Sequence, residues 1–270
     1  MSEDTQRAVS FPAFNKQKAC RYGQMLYNVH DMYIGRSLEL YGEFSEGEVD
    51  LFRLLVRPGD VVVDAGANIG AHTVFFAERV GPQGLVLAFE PQRLLFQTLC
   101  ANLALNSIPN VVAIARGLSS AQGSMTIPIL DYASTNNFGG ISLSAGGAGE
   151  AVPVTPLDAF NLPQCALIKV DVEGMEEEML RGSAELIARC APILYVENDR
   201  PAKSASLIRY ISSLNYRMYW HLPALFNAEN FFGNGENVFG EIVSHNMICV
   251  PEHLGDVFEG FERVATERSE

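Results

Sequence analysis

The stretch VVVDAGANIGAHT, residues 61–73, constrains the fold of this chain more than any other. Three consecutive valines ending in an acid make a run too short for most helices and too apolar for a surface strand, so DVVVDAG (60–66) reads as a buried strand. Gly66 and Gly70 then let the backbone turn sharply, and Ala71 to Val80 is predicted helical, stopped by GPQG. A helix that starts on such a turn offers free N–H groups to a ligand.

The chain repeats this unit. LVLAFE (85–90) is a second strand, and Pro91 opens a helix to about Asn106. NVVAIARG (110–117), CALIKVDV (165–172) and PILYVEND (192–199) are strands three to five, with helices at 175–188 and 201–213. RMYW (217–220) and NMICVP (246–251) are two final strands. Strand–helix alternation at this spacing predicts an α/β fold, a doubly wound and mostly parallel sheet with helices on both faces. Ahead of it, EGEVDLFRLLVR (46–57) reads as a buried helix through Val49, Leu51, Phe52, Leu54, Leu55 and Val56. Residues 1 to about 22 lack a clear period and are expected to be frayed or loosely docked. The division that follows is an N-terminal helical extension (1–58), the α/β domain (59–254) and a C-terminal tail (255–270). Two stretches break the rhythm. The segment 118–160, rich in Gly, Ser and Asn, should form short strands and loops over one end of the sheet, and 221–245 is a second insertion.

Composition narrows the partners. Thirty-two acidic against 19 basic residues give a formal charge of −13, which repels nucleic acid and anionic lipid. No apolar run approaches the ~18 residues of a membrane span. The N-terminus lacks a secretory h-region. Cys20, Cys100, Cys165, Cys190 and Cys249 are scattered and never in C-x-x-C spacing, which points to a reducing, cytoplasmic setting without a zinc cluster.

Glu90 ends the second strand 20 residues beyond Gly70, where a carboxylate can accept both hydroxyls of a ribose. A nicotinamide dinucleotide would want G-x-G-x-x-G, yet Asn68 stands where the middle glycine belongs. Asp64 ahead of the turn suits the ammonium of a methionine moiety, as in S-adenosylmethionine (SAM), better than a pyrophosphate. A nicotinamide-dependent oxidoreductase is the runner-up.

From Tyr33 to Pro251 the chain resembles the FkbM-type family of SAM-dependent methyltransferases, through YGEFSEGEVDLF, PGDVVVDAGANIGAHT, FEP, NFGGISL, LIKVDVEGMEEEMLRG and NMICVP. The resemblance implies the class I methyltransferase fold, seven strands in the order 3-2-1-4-5-7-6 with strand seven antiparallel. It implies an O-methyltransferase that acts on a small hydroxylated acceptor, a sugar or natural product. Asp64, Gly66, Asn68 and Gly70 match the SAM-binding turn, Glu90 the ribose acid, and Gly117 and Leu118 would flank the adenine. Asp171, Glu173, Gly174 and Glu176 match the family's acidic run. A catalytically inactive SAM-binding module is the alternative class, and a homo-oligomer is compatible with the sequence.

In that strand order, strand four lies beside the glycine turn, so Asp171 and Glu173 reach the sulfonium end of SAM. Glu177 and Glu178 begin the next helix, favoured there by its dipole, and face water, with Glu177 placed to pair with Arg181. Glu176 is open between a structural and an active-site contact. Glu197 and Asn198 end strand five, so Asp171, Glu197 and Asn198 could hold Mg²⁺ or another hard divalent ion. Without a metal, Asp171, Glu173 and Glu197 are acid–base candidates. His221 and His245, which bracket the second insertion, are alternative bases, and His72 lies nearer the cofactor. The aromatics Tyr219, Trp220, Phe226, Phe231, Phe232 and Phe239 either stack on the acceptor or pack the insertion onto the sheet edge. NNFGGISL is a second lid candidate.

Overall fold

The computed structural model describes residues 13–266, and it opens with a hairpin, β1 (Asn15–Cys20) antiparallel to β2 (Gly23–Asn28). The expectation of a frayed start is therefore corrected from residue 15 onward, while its first twelve residues lie outside the described ones. Met25 and Tyr27 alternate inward from β2 onto Leu38, Ile69, Val74 and Leu95. Two asparagines of a later helix act as a substitute strand edge: Asn102 Oδ1 accepts from Leu26 N at 2.6 Å, and Asn106 Oδ1 from Gln24 N at 2.7 Å.

Helices α1 (Ile34–Tyr41) and α2 (Glu46–Leu55) complete the extension. Then come β3 (Val61–Ala65), α3 (Ala71–Val80), β4 (Leu85–Phe89), α4 (Arg93–Leu105) and β5 (Val111–Ile114). The expected third strand splits here, because β6 (Gly117–Leu118) leaves the main sheet. It pairs with β8 (Glu150–Thr155), which pairs in turn with β7 (Gly123–Ile127). The main sheet continues with β9 (Leu167–Val170), α5 (Glu176–Arg181), α6 (Ala184–Cys190), β10 (Ile193–Glu197), α7 (Pro201–Ser213), β11 (Tyr216–His221) and β12 (Asn246–Pro251).

Its strand order, β11-β12-β10-β9-β3-β4-β5, is the expected one, and β12 runs antiparallel to both neighbours. Pleating sends alternate residues to two cores. Val63, Ala65, Ile168, Val170 and Val196 meet Met179, Leu186, Leu207 and Ile211 on one face. Val62, Val86, Leu167, Tyr195 and Ile248 meet Val49, Phe52 and Phe76 on the other. Within α2 only part of the predicted stripe is buried: Val49, Phe52 and Val56 share a face, whereas Leu54 points away and is 79% exposed.

The helix predicted over 175–188 is broken between α5 and α6. A side chain at Gly182 would strike the Ser119 carbonyl, and Asp158 caps α6 from a distance by accepting from Glu185 N and Leu186 N. The C-terminal segment covers the edge of β11, where Val264 N donates to Met218 O at 2.9 Å and Trp220 N to Glu262 O at 2.8 Å. Among the described residues no helix is long and apolar enough to cross a membrane, and all five cysteines are free.

Candidate active site

The carboxyl ends of β3, β4, β9 and β10 open into a cavity of about 460 Å³, the size of a small-molecule site. Asp64, Gly66, Asn68, Glu90, Gly117 and Leu118 line it, as do Asp171, Glu173, Glu197 and His245. Gly70, Asn198 and His221 do not.

The glycine turn is shaped by its neighbours. Gly66 has φ +78, and a Cβ there would lie 1.7 Å from the Asp171 carbonyl oxygen, so the close approach of β9 demands glycine. Gly70 packs under Leu99, which a Cβ would meet at 2.6 Å, and it precedes α3 as its cap. Asn68 adopts φ 52 and its N–H donates to Glu90 Oε2 at 2.9 Å, while Gln92 N donates to Glu90 Oε1 at 2.7 Å. Burial pushes the Glu90 carboxyl up to about 7. Each of its oxygens keeps a lone pair for a hydroxyl.

Lys169 is the residue the sequence reading missed. It points from β9 into the cavity floor and is 3% exposed. Its Nζ lies 3.4 Å from Asp64 Oδ1, 3.3 Å from Asp171 Oδ2 and 3.3 Å from the Gly66 carbonyl. Burial alone would lower its pKa, but Asp171 and Asp64 outweigh it and hold the ammonium charged above its ordinary range. Thr73 Oγ1 donates to the other Asp64 oxygen at 2.7 Å. One Asp64 oxygen is thus hydrogen-bonded within the protein, while Oδ1 has the Lys169 charge nearby but no hydrogen-bond partner. A single lysine inside the apolar run LIKV was the available signal.

Asp171, Glu173 and Glu197 bring oxygens within 4.8 Å of one another. Glu173 holds a left-handed φ of 56 and pairs with Arg200. Burial first, then the Asp171 charge, pushes its carboxyl up to about 8 against the pull of Arg200. Burial, then the charges of Asp171 and Glu173, raise Glu197 well above the carboxylate range, and its Oε2 has no hydrogen-bond partner. Asn198 departs from the expected ligand set: its Nδ2 lies 3.3 Å from Met247 Sδ, and Glu173 takes its place near Asp171. Glu176 is buried and accepts from Gly174 N at 2.7 Å, a structural contact. Glu177 pairs with Arg181 at 2.6 Å and Glu178 is exposed, as their helix-start positions implied.

The histidines divide. His245 sits at the exposed rim. His221 turns away, with Nδ1 2.8 Å from the Tyr195 hydroxyl and its ring beside Phe261. His72 is buried in the cavity wall against Phe44 and Phe52, where burial lowers it to about 3 and leaves it neutral. Glu48, unremarked in the sequence, also enters from α2, buried and accepting from Ser45 Oγ at 2.8 Å.

Both insertions cover the cavity. Asn137, Gly139, Ile141 and Leu143 line it from 118–160, and Gln92 Nε2 holds the Phe138 carbonyl at 2.8 Å. From 221–245 the lining residues include Leu225, Val243 and Ser244. Its aromatics do not line the cavity, and the insertion docks on α1 and the β1–β2 hairpin rather than on the sheet edge. Phe226 and Phe239 pack on Tyr41, and Phe231 and Phe232 meet Arg21 and Lys18. Tyr33 and Phe44 are the aromatic lining from the extension.

Comparison with known proteins gives a consistent picture. Residues 64–218 match the model of the "Methyltransferase FkbM domain". "Methyltransferase 1" of Beauveria bassiana is 33% identical over 177 residues, 56% of this chain and 71% of that protein. "Methyltransferase sdnD" of Sordaria araneosa is 33% identical over 176 residues, with 53% and 66% covered. "Hexuronic acid methyltransferase AglP" of Haloferax volcanii is 30% identical over 144 residues, with 50% and 56% covered. This chain therefore spans less than two thirds of the last two. A crystal structure of "Methyltransferase FkbM" from Methylobacillus flagellatus KT superposes with a TM-score of 0.48 at 17% identity, over 74% of this chain and 50% of that one.

Proposed function

The chain belongs to the FkbM methyltransferase family, and on that premise we propose that it transfers the methyl group of SAM to a hydroxyl oxygen of a sugar or natural-product-type small molecule. The observation that carries the oxygen reading is Glu173, a carboxyl pushed up to about 8 on the cavity wall beside Asp171 and Glu197. An aliphatic hydroxyl needs a base matched to neutral pH, and an ordinary carboxylate is too weak.

The cavity fits SAM in its chain chemistry. Glu90 and the Asn68 backbone suit the ribose, and Gly117 and Leu118 suit the adenine. SAM, when bound, would supply a sulfonium methyl that the acceptor oxygen attacks in line, with S-adenosylhomocysteine as the leaving group. Asp64 acts through Lys169, fixing its ammonium between the two strand ends, rather than as a direct partner of the methionine moiety. Glu173 accepts the hydroxyl proton as the C–O bond forms, with Glu197 as the neighbouring proton store. Lys169 is shared between Asp64 and Asp171, and Arg200 between Glu173 and Asp199, so the trio keeps excess negative charge. Burial favours a proton on Glu197, which offsets part of that charge. Asp171, Glu173 and Glu197 are also the residues that would hold a divalent ion.

The acceptor class is supported by the names of relatives, one of which is a methyltransferase of hexuronic acid. Calorimetry with SAM tests the premise, and a hydroxylated-acceptor screen with and without chelator tests the chemistry. Absence of SAM binding would sink the reading. Turnover that stops with chelator and returns with Mg²⁺ would replace the proton on Glu197 by a metal.

A further inference from the structure

Glu173 stands in a turn of two successive left-handed residues, at φ 56, followed by Gly174 at φ 92. That conformation disfavours a residue with a side chain, so the turn relies on contacts that hold it. Regular structure supplies none, because β9 ends at Val170 and α5 begins at Glu176. Side chains do. Glu176 Oε1 accepts from Gly174 N at 2.7 Å. The Glu173 carbonyl accepts from Ser142 Oγ at 2.7 Å, and the Gly174 carbonyl accepts from Lys203 Nζ. These two donors lie 31 residues before and 29 residues after their acceptors.

The two donors reach the turn from separate elements. Lys203 stands in the first turn of α7 and lines a second cavity of about 280 Å³, together with Gly174, Glu178 and Arg200. Ser142 belongs to a strap whose Gly139, Ile141 and Leu143 line the first cavity. A Cβ on Gly139 would lie 2.5 Å from Asn68 Nδ2, and a Cβ on Gly117 would lie 3.0 Å from Leu143 Cδ1. The strap therefore rests on both segments assigned to the cofactor, and Ser142 ties it to the acid turn. Neither Ser142 nor Lys203 lines the first cavity, and both residues are exposed. Exposed hydrogen bonds of this kind add little to global stability. Their effect on a reaction can be large, because a base works only within hydrogen-bond reach of the proton it takes.

On the footing of Glu173 as the base, we propose that Ser142 and Lys203 are positioning residues for the methyl transfer. They touch neither cofactor nor acceptor, and act by holding the two carbonyls of the turn so that the Glu173 carboxyl meets the acceptor hydroxyl. Ser142 sets the turn against the strap, and Lys203 sets it against α7.

The test is kinetic, on the full chain with SAM and two acceptor probes, methyl glucoside and glucuronate. Lys203→Met and Ser142→Ala should each lower kcat by about tenfold or more, with acceptor KM and the Kd of S-adenosylhomocysteine within about twofold of wild type. Lys203→Arg and Ser142→Thr keep a donor and should recover most of the rate. In a Glu173→Gln background neither Lys203→Met nor Ser142→Ala should slow the residual reaction further, because the group they aim is gone. Glu178→Gln, exposed on the second cavity, is the control and should leave kcat unchanged. Wild-type kcat in Lys203→Met or in Ser142→Ala, with Glu173→Gln slow, overturns the positioning proposal alone. A fall just as large in the Glu173→Gln background does the same, since it marks a merely structural role. Wild-type kcat in Glu173→Gln, or turnover of neither probe, instead strikes the reading of the base and its sugar acceptor, and the proposal falls with it.

Discussion

Asp64 and Lys169 stand opposite each other in the β3–β9 ladder, both buried, with Lys169 Nζ 3.4 Å from Asp64 Oδ1. The pair joins the strand that begins the cofactor turn to the strand that delivers Asp171. Removing one partner of a buried pair leaves a desolvated charge behind, at about 3–5 kcal/mol. Lys169→Met should therefore lose about that much in denaturant unfolding. Asp64→Asn combined with Lys169→Met should cost less than the sum of the single changes. Strict additivity would show that the two side chains do not couple.

Glu173→Gln separates chemistry from binding. It keeps the shape of the turn and its contact with Arg200, so SAM affinity should stay within about twofold. Turnover should fall by about 10² or more, as loss of a general base does. In the wild type, a carboxyl pushed up to about 8 is mostly protonated at neutral pH, so kcat/KM should rise with pH through that region. The residual rate of the Gln variant should lack that rise. An unchanged profile would assign the proton transfer to another group.

Stability should run the other way. Glu90 and Glu173 are raised to about 7 and about 8 from an ordinary 4.5, so between those values the folded protein holds more protons than the unfolded chain. Stability is then full below pH 4.5 as regards these groups and declines as pH rises through their folded values. Glu90 alone, buried and bonded by two backbone N–H groups, contributes a loss on the order of 3 kcal/mol across its window. Glu90→Gln should flatten the fall of melting temperature between pH 5 and about 8. A ligand-free protein whose stability rises over that interval would contradict the burial of Glu90.

What the sequence made legible follows from local physics. The runs VVVDA, LVLAF and ILYVE are short, apolar and bounded by turn residues, so the strands and their order could be read, and their ends located Asp171, Glu173 and Glu197. The i,i+4 spacing anticipated the Glu177–Arg181 pair and the helix start the exposure of Glu178, while Glu177 is half-buried rather than facing water. The failures lie where a side chain's fate depends on distant partners. Lys169 passes unremarked inside its strand until register puts Asp64 opposite it. Asn198 reads as a ligand until the chain beyond β10 turns it to Met247. The hairpin β1–β2 has one open edge and borrows its other partners from Asn102 and Asn106, 76 and 82 residues away.

A buried acid ties the second insertion to the N-terminal extension. Glu43 accepts from Arg21 Nε at 2.7 Å, from Asn227 Nδ2 at 2.8 Å and from Phe231 N at 2.8 Å, tying hairpin, helical extension and insertion together. The Tyr41 hydroxyl adds a donation to Glu236 O and an acceptance from Val238 N. The anchored segment leads to Val243, Ser244 and His245 in the cavity wall, the side we assign to the acceptor, whereas Glu90 is bonded by the Asn68 and Gln92 backbone. Glu43→Ala removes three acceptor contacts at once and leaves Arg21 with Glu46, 3.6 Å away, and the Glu229 carbonyl at 2.9 Å. The variant should be cleaved faster by limited proteolysis within 226–240, and acceptor KM should rise by about tenfold or more, since each lost kilocalorie and a half of ordering is roughly one decade. SAM affinity should not change. A parallel loss of SAM binding would show that the insertion supports the whole site rather than its acceptor half.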